Sequence, residues 1–357
     1  MTFDLEKLVR PNILRLKPYS SARSEFEGEA EVFLDANENA FASPAGEGLN
    51  RYPDPLQKEL KARVSELNRL ATENIFIGNG SDEAIDLLFR IFCEPGRDNC
   101  VICPPTYGMY KVSADINDTA VKEVRLTADF QLDVSAVLNA VDEDTKLIFI
   151  CSPNNPTGNL MRREDVIEIA RAFNGIVVID EAYIHFADTD SFTKELDRFP
   201  NLIVLQTFSK AWGMAGLRVG LAFADAAIID LMNRVKPPYN VSGIAQRAVL
   251  EAIGKTDKMQ AWVHETLRER SRLAEALERF DLVTRTFPTD ANFVLIRTSD
   301  ANAIYRHLID AGIVVRDRSS VERCEGSLRI TVGTPEENSR LLDALASFGA
   351  VEPEAGN

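Results

Sequence analysis

Asn74-Ile75-Phe76-Ile77-Gly78-Asn79-Gly80-Ser81-Asp82-Glu83-Ala84-Ile85-Asp86-Leu87-Leu88-Phe89-Arg90 reads as a strand, a tight glycine turn and a helix in immediate succession. Ile75-Phe76-Ile77 is the strand, Gly78-Asn79-Gly80 the turn, and Ser81 the expected N-cap of an apolar pattern at helical spacing. The same texture recurs along the chain. Short apolar runs at 101–103, 147–151, 176–180, 202–207 and 219–223 alternate with amphipathic stretches. Several runs lack the polar alternation of a half-exposed strand, which predicts parallel strands covered on both faces by helices. The expected class is therefore α/β, with a mostly parallel central sheet and ligand groups gathered at strand ends.

Beyond about residue 242 the texture changes. One helical stretch covers 244–279, rich in Glu/Arg pairs at helical spacing. Apolar runs at 292–296, 313–316 and 327–332, a helix over 301–311 and a final helix from Pro335 predict a smaller α+β domain. The expected organisation is an N-terminal arm (1–45) packing on the small domain, a large α/β domain (46–242) and a small C-terminal domain (243–357). The arm is turn-rich and too short to fold alone. With 357 residues, 45% hydrophobic and 27% charged, the chain can bury a large core, and disorder is expected only over 351–357.

A formal net charge of −15 argues against nucleic acid as a partner, because phosphate backbones need a basic surface. It leaves room for a small anion held by local arginines. No apolar run is long enough to span a bilayer, and the N-terminus lacks the basic-then-apolar order of a signal peptide. A cytoplasmic protein without a membrane partner is expected. Five cysteines, an odd count without a secretion signal, fit a reducing compartment. Cys100 and Cys103 form a C-x-x-C that could mark a redox pair or half a zinc site. It lies in an apolar strand, has no second C-x-x-C, and His185, His264 and His307 are scattered. The pair reads as buried structural cysteine, and no metal site is expected.

Chemistry concentrates in Thr207-Phe208-Ser209-Lys210-Ala211-Trp212-Gly213-Met214-Ala215-Gly216-Leu217-Arg218-Val219-Gly220. An amine that attacks a carbonyl must be partly deprotonated at neutral pH, and a neighbouring cation and desolvation both drive Lys210 that way. Ser209 and Arg218 offer a hydroxyl and a guanidinium to a phosphate, and the glycines let backbone approach it. The loop reads as a lysine that forms a Schiff base with a phosphorylated aldehyde cofactor. Gly78-Asn79-Gly80 lacks the third glycine of a dinucleotide fingerprint. Free N–H groups at a helix start nonetheless suit a phosphate; a plain capped turn is the alternative.

Three further strand-end loops join this loop and the Gly78-Asn79-Gly80 turn. Asp180 closes a buried run, where a carboxylate is costly unless paired with a cation. A protonated pyridine nitrogen would serve; helix capping is the other role open to it. Tyr183 follows, placed to donate to a phenolate oxygen on the same ring. Ser152-Pro153-Asn154-Asn155-Pro156-Thr157-Gly158 fixes a loop with two prolines and leaves an asparagine amide to donate, though the same residues dominate ordinary turns. Tyr107 offers a flat surface to an aromatic ring. Arg316 and Arg329 adjoin apolar strand runs, where a guanidinium either grips an anion or lies on a solvated sheet edge.

On these segments the chain resembles the fold-type-I pyridoxal-phosphate aminotransferases, and within them the histidinol-phosphate aminotransferase family, over nearly its whole length. Asn154-Asn155-Pro156-Thr157-Gly158, Asp180-Glu181-Ala182-Tyr183 and the lysine segment carry the broad likeness. Leu34-Asp35-Ala36-Asn37-Glu38-Asn39, Arg51-Tyr52-Pro53-Asp54-Pro55, residues 105–110, Val235-Lys236-Pro237-Pro238-Tyr239-Asn240, Arg316-Asp317-Arg318 and residues 328–333 carry the narrower one. Ala40-Phe41 and Trp212 depart from the Pro-Tyr and Phe that the family often has there.

The resemblance implies pyridoxal 5'-phosphate as cofactor. It implies Lys210 as the Schiff-base lysine, Asp180 on the pyridine nitrogen, Asn155 and Tyr183 on the ring oxygen, and Tyr107 stacked on the ring. The cofactor phosphate would take Ser209, Arg218 and backbone groups of Gly80, Ser81 and Asp82, with Tyr52 reaching it from the other subunit of a homodimer. Arg329 would bind the substrate's α-carboxylate or its equivalent, with Arg316, Tyr19 and Asn37 around the second anionic end. The implied reaction is amino transfer between histidinol phosphate and 2-oxoglutarate, giving imidazole-acetol phosphate and glutamate in histidine biosynthesis. An aromatic amino-acid aminotransferase is the nearest alternative.

Overall fold

Two sheets organise the chain in the computed structural model, which describes residues 3–19, 31–46 and 48–348; the expected disordered tail at 351–357 lies outside them. The larger sheet holds β1 (Ile75–Gly78), β2 (Asn99–Ile102), β3 (Ala120–Glu123), β4 (Thr145–Cys151), β5 (Ile176–Asp180), β6 (Leu202–Thr207) and β7 (Gly220–Phe223). Their order is β1-β7-β6-β5-β4-β2-β3. β2 to β6 pair in parallel, whereas β7 runs antiparallel to both β1 and β6.

Alternate residues of these strands feed two cores. Ile75, Ile77, Val177, Ile179 and Val204 enter one; Phe76, Ile176, Val178, Ile203 and Leu205 enter the other. Burial on both faces is why the strands read as unbroken apolar runs. β3 escaped that reading because this edge strand, Ala-Val-Lys-Glu, is only half covered and carries no such run. The two-residue period also separates the C-x-x-C: Cys100 faces one core and Cys103 the other, both as free thiols.

The smaller sheet is antiparallel, in the order β10 (Arg316–Asp317), β11 (Ser327–Thr331), β9 (Phe293–Thr298), β8 (Val283–Thr286). Its core joins Val294, Ile296, Leu328 and Ile330 to the helices Ala301–Asp310 and Pro335–Phe348. The single helical stretch expected over 244–279 is two helices, Gly243–Ile253 and Thr256–Leu277, broken where Gly254 ends the first. Ala245, Val249, Ile253, Met259 and Val263 pack into the large sheet's core, and Leu273 and Leu277 into the small one. The second helix thus bridges both sheets.

The arm corrects another expectation. Val9 and Ile13 are buried in the core beside the helix Ser81–Phe92, and the Arg10 N–H donates to the Ile91 carbonyl at 3.0 Å. The first part of the arm therefore docks on the large sheet rather than on the small domain, because its two apolar side chains find their partners there.

The turn after β1 also differs in detail. Gly80, with φ +77°, is the N-cap of the helix Ser81–Phe92, so Ser81 takes the first helical position, and no side chain caps the helix. Its first-turn N–H groups are left for another acceptor. The turn rests on the start of β7 at Gly220, where a Cβ would lie 2.2 Å from the Ser81 nitrogen and 2.4 Å from the Gly80 carbonyl carbon. Gly220→Ala is expected to push the turn off the sheet and lower stability by about 1–3 kcal/mol. The check is the urea midpoint; an unchanged midpoint would contradict the packing described.

Candidate active site

The C-terminal ends of the parallel strands and the edge of the small sheet enclose a cleft of about 610 Å³, within the range of cofactor and ligand sites. The turn after β1 supplies Ser81 and Asp82, the loop after β2 Tyr107, the loop after β4 Asn155, and β5 Asp180 with Tyr183 just beyond it. Ser209 and Lys210 follow β6, Arg218 precedes β7, and Arg316, Arg318 and Arg329 come from β10, β11 and the residues between them. Such convergence at strand ends is the usual ligand position of an open α/β sheet.

One end of the cleft is built for an anion. Arg218 adopts a left-handed conformation, φ +55°, at the close of the short helix Ala215–Leu217. Its Nη1 donates to the Ser209 hydroxyl at 3.5 Å and the Ala215 carbonyl at 3.2 Å, and its Nη2 to Asp82 Oδ2 at 3.3 Å. Gly80 is favoured by its φ of +77°, and a Cβ there would sit 2.8 Å from that Nη2 and displace the guanidinium. Guanidinium, hydroxyl and uncapped helix start thus face one spot, the donor set that a phosphate takes. Asp82 Oδ1 also accepts from the Tyr107 hydroxyl at 3.0 Å, and burial, reinforced by this carboxylate, holds the Tyr107 phenol above its ordinary range.

Asp180 lies deeper. It is 3% exposed, and its Oδ1 accepts from the Ala182 N–H at 3.0 Å and its Oδ2 from the Tyr110 hydroxyl at 2.8 Å. Both partners are neutral, and burial raises its pKa. Tyr110 is a positioning residue missed in the sequence; fully buried, it stacks on Phe149 at 4.8 Å between ring centroids. Tyr107 and Tyr110 are three residues apart in one segment, and only the packing shows which reaches the cleft and which supports Asp180. Tyr183 is buried edge-on to Phe293, and Lys210 Nζ lies 5.5 Å from its ring centroid. Asn155 Oδ1 accepts from Arg329 Nη1, which leaves its amide N–H groups to donate.

Lys210 is held below its ordinary pKa, first by desolvation and then by the Arg329 and Arg218 charges, with Asp180 opposing. The small sheet concentrates positive charge opposite it. The register of β10 on β11 sets Arg316 directly across from Arg329, a like-charge pair that costs stability on its own. Arg318, two residues after Arg316, lines the same cleft. Burial and then Arg329 and Arg316 lower it to about 10. The Nε atoms of Arg318 and Arg329 are buried without an acceptor among the described residues. Three guanidiniums so arranged offer the charge and donors that a multiply charged anion would take. Arg318 was missed as a site residue; the strand period counted from Arg316 was the available signal.

Not every expected residue joins this cleft. Tyr52, 51% exposed, stacks on Tyr239 at 4.4 Å; Tyr19 is 75% exposed; Asn37, at φ +54°, is exposed too. None of the three lines the cleft of its own chain.

Comparison with known proteins gives a consistent picture. The family described as aminotransferase class I and II matches residues 24–345. A Cytophaga hutchinsonii protein named histidinol-phosphate aminotransferase is 52% identical, over 98% of this chain and 100% of its own length. One of the same name from Parabacteroides distasonis is 53% identical, over 97% of this chain and 99% of its own. Among solved structures, the histidinol-phosphate aminotransferase of Sinorhizobium meliloti in complex with pyridoxal-5'-phosphate superposes with a TM-score of 0.78 at 25% identity, covering 88% of this chain and 89% of that one.

Beside Asp180 but turned from the cleft, Glu181 is fully buried, accepting from the Phe192 N–H and the Ser191 hydroxyl, each at 2.6 Å, and from the Gln206 amide at 2.9 Å. Burial outweighs these donors and raises its pKa from 4.5 to about 7. Between those two values the folded state binds the extra proton, so this group's contribution to stability falls as pH rises through the window. Glu181→Gln should flatten the pH dependence of the urea midpoint there relative to the parent. Identical slopes in the two proteins would contradict it.

Proposed function

We propose that this chain, which belongs to the class I and II aminotransferase family, transfers the amino group of L-histidinol phosphate to 2-oxoglutarate with pyridoxal 5'-phosphate as cofactor. The products are imidazole-acetol phosphate and L-glutamate, a step of histidine biosynthesis, and the transfer is reversible. One observation carries the reading: a single cleft joins a phosphate cup, a depressed lysine and a buried carboxylate with neutral partners to three arginines, two of which bury an Nε without an acceptor among the described residues.

The residues present fit that cofactor. Ser209, Arg218 and the backbone at Gly80, Ser81 and Asp82 match its phosphate, Asp180 a protonated ring nitrogen, Asn155 and Tyr183 its ring oxygen, and Tyr107 one ring face. When bound, pyridoxal phosphate supplies an aldehyde carbon for amine exchange and a ring that accepts the electrons of a broken Cα–H bond. The protein's own work is proton placement. Asp180 holds a proton at the ring nitrogen, because a buried carboxylate is stable only beside a positive charge. Lys210 anchors the cofactor. Its amine, kept partly neutral by desolvation and the nearby arginines, takes the Cα proton and returns it.

The arginines set specificity. Arg329, steadied by Asn155, binds the α-carboxylate or its equivalent, with Arg316 and Arg318 adding charge for the phosphate ester. In ping-pong transfer the two substrates occupy one site in turn, so the same guanidiniums must serve two different anionic ends. In a homodimer, Tyr52 reaches the partner's cofactor phosphate and Tyr19 and Asn37 surround the second anionic end. Their exposure in the single chain, and that of Val32, Leu34 and Phe41 on the same arm, supports this assignment. Among the described residues no helix is long and apolar enough to cross a membrane; action in the cytoplasm belongs to the proposed biosynthetic role.

Turnover with histidinol phosphate and with phenylalanine, each with 2-oxoglutarate, tests the substrate directly. Higher kcat/KM with histidinol phosphate is expected, and preference for phenylalanine would favour an aromatic amino-acid aminotransferase. Arg318→Gln should raise KM for histidinol phosphate by about tenfold, the loss of one charge-assisted contact on the order of 1.4 kcal/mol. An unchanged KM would remove Arg318 from the anion grip.

A further inference from the structure

Val235-Lys236-Pro237-Pro238-Tyr239-Asn240 touches none of the cleft, yet it stands at the centre of a hydrogen-bonded path. The Asn240 amide donates twice, to the Ile77 carbonyl at 3.0 Å and to Glu83 Oε2 at 2.8 Å. The same Glu83 oxygen accepts from the Asn79 N–H at 2.5 Å. One side chain therefore grips both shoulders of the Gly78-Asn79-Gly80 turn, whose two glycines and missing cap leave it little stiffness of its own.

Lys236 extends the path. Only 6% exposed, its ammonium donates to the Pro55 carbonyl at 2.7 Å, Asn240 Oδ1 at 3.0 Å, the Pro238 carbonyl at 3.2 Å and the Pro237 carbonyl at 3.4 Å. All four acceptors are neutral, a costly setting for a buried cation unless every donor is used. Gln57 reinforces the joint, donating to the Pro55 carbonyl at 2.9 Å and Asn240 Oδ1 at 3.2 Å. On the far side, the Tyr52 ring stacks on Tyr239 while Glu38 accepts from the Tyr52 N–H and from Arg51 Nη1, both at 2.6 Å. Glu38 and the segments 51–57, 77–83 and 235–240 thus form one strut.

With the cofactor phosphate seated at residues 80–82 as proposed above, we infer that Asn240 and Lys236 are positioning residues that stiffen the phosphate turn and lock it to the Tyr52 segment. Donors already held in place bind an anion without an ordering cost, so loosening the strut weakens the grip on the phosphate while leaving the rest of the cleft intact. Because the strut ends at Tyr52, it also couples each chain's own phosphate turn to the side chain that it offers to its partner.

The test compares two probes on the full-length protein stripped of cofactor: pyridoxal phosphate and pyridoxal, which lacks the phosphate. Affinities are read from absorbance titrations. Asn240→Ala should weaken pyridoxal phosphate by about tenfold, or about 1.4 kcal/mol, and pyridoxal by no more than about twofold. Lys236→Met should shift the same ratio in the same direction and carries the test should Asn240→Ala not fold. Arg218→Gln is the control for the phosphate seat. If Arg218→Gln is selective for the phosphate and both strut variants weaken the two probes equally, the inference is overturned and the seat stands. If Arg218→Gln is not selective either, the seat itself is wrong and the inference falls with it.

Discussion

The carboxylate of Asp180 is the constraint around which the molecule is arranged. It ends a strand with 0% exposure at every preceding residue, and its two hydrogen-bond donors are a backbone N–H and a tyrosine hydroxyl. A carboxyl so placed either keeps its proton or waits for a cation. The parallel sheet explains how it comes to be there. Apolar runs buried on both faces can release a polar side chain only at their ends, and those ends lie along one edge. Tyr107, Asn155, Asp180, Ser209 and Lys210 therefore converge without any of them being near another in sequence, apart from the last two.

The second organising feature is charge. An acidic chain, at net −15, sets Lys210, Arg218, Arg316, Arg318 and Arg329 around one cleft. Elsewhere most arginines have acidic neighbours, as Arg10, Arg97, Arg163 and Arg272 do. In the cleft, burial first and neighbouring guanidiniums second lower the pKa of Lys210, Arg318 and Arg329. Under the proposed function, the same buried, cation-rich setting that keeps the lysine partly neutral also leaves the guanidiniums ready for an anion.

Much of this was legible in the sequence, for a definite reason. A polar residue at the end of a buried run is conspicuous, so Asp180, Asn155, Ser209 and Lys210 stood out, and Arg218 followed from the glycine-rich loop. Tyr110 and Arg318 did not stand out, because their roles depend on packing against Phe149 and on the register of β10 with β11. The docking of Val9 and Ile13, the break at Gly254 and the edge strand β3 were obscured similarly, each settled by tertiary partners rather than by local pattern. Tyr19, Asn37 and Tyr52 are a different case. Their side chains are exposed in one chain, and the function proposed for them calls for a second copy of it.

The most direct measurement is a single half-reaction. Cofactor-loaded protein mixed with histidinol phosphate, without an oxo acid, should release about one equivalent of imidazole-acetol phosphate per chain and stop until 2-oxoglutarate is added, as ping-pong transfer requires. Lys210→Ala should release none. Continuous product formation without an acceptor, or an equal burst from Lys210→Ala, would contradict the account.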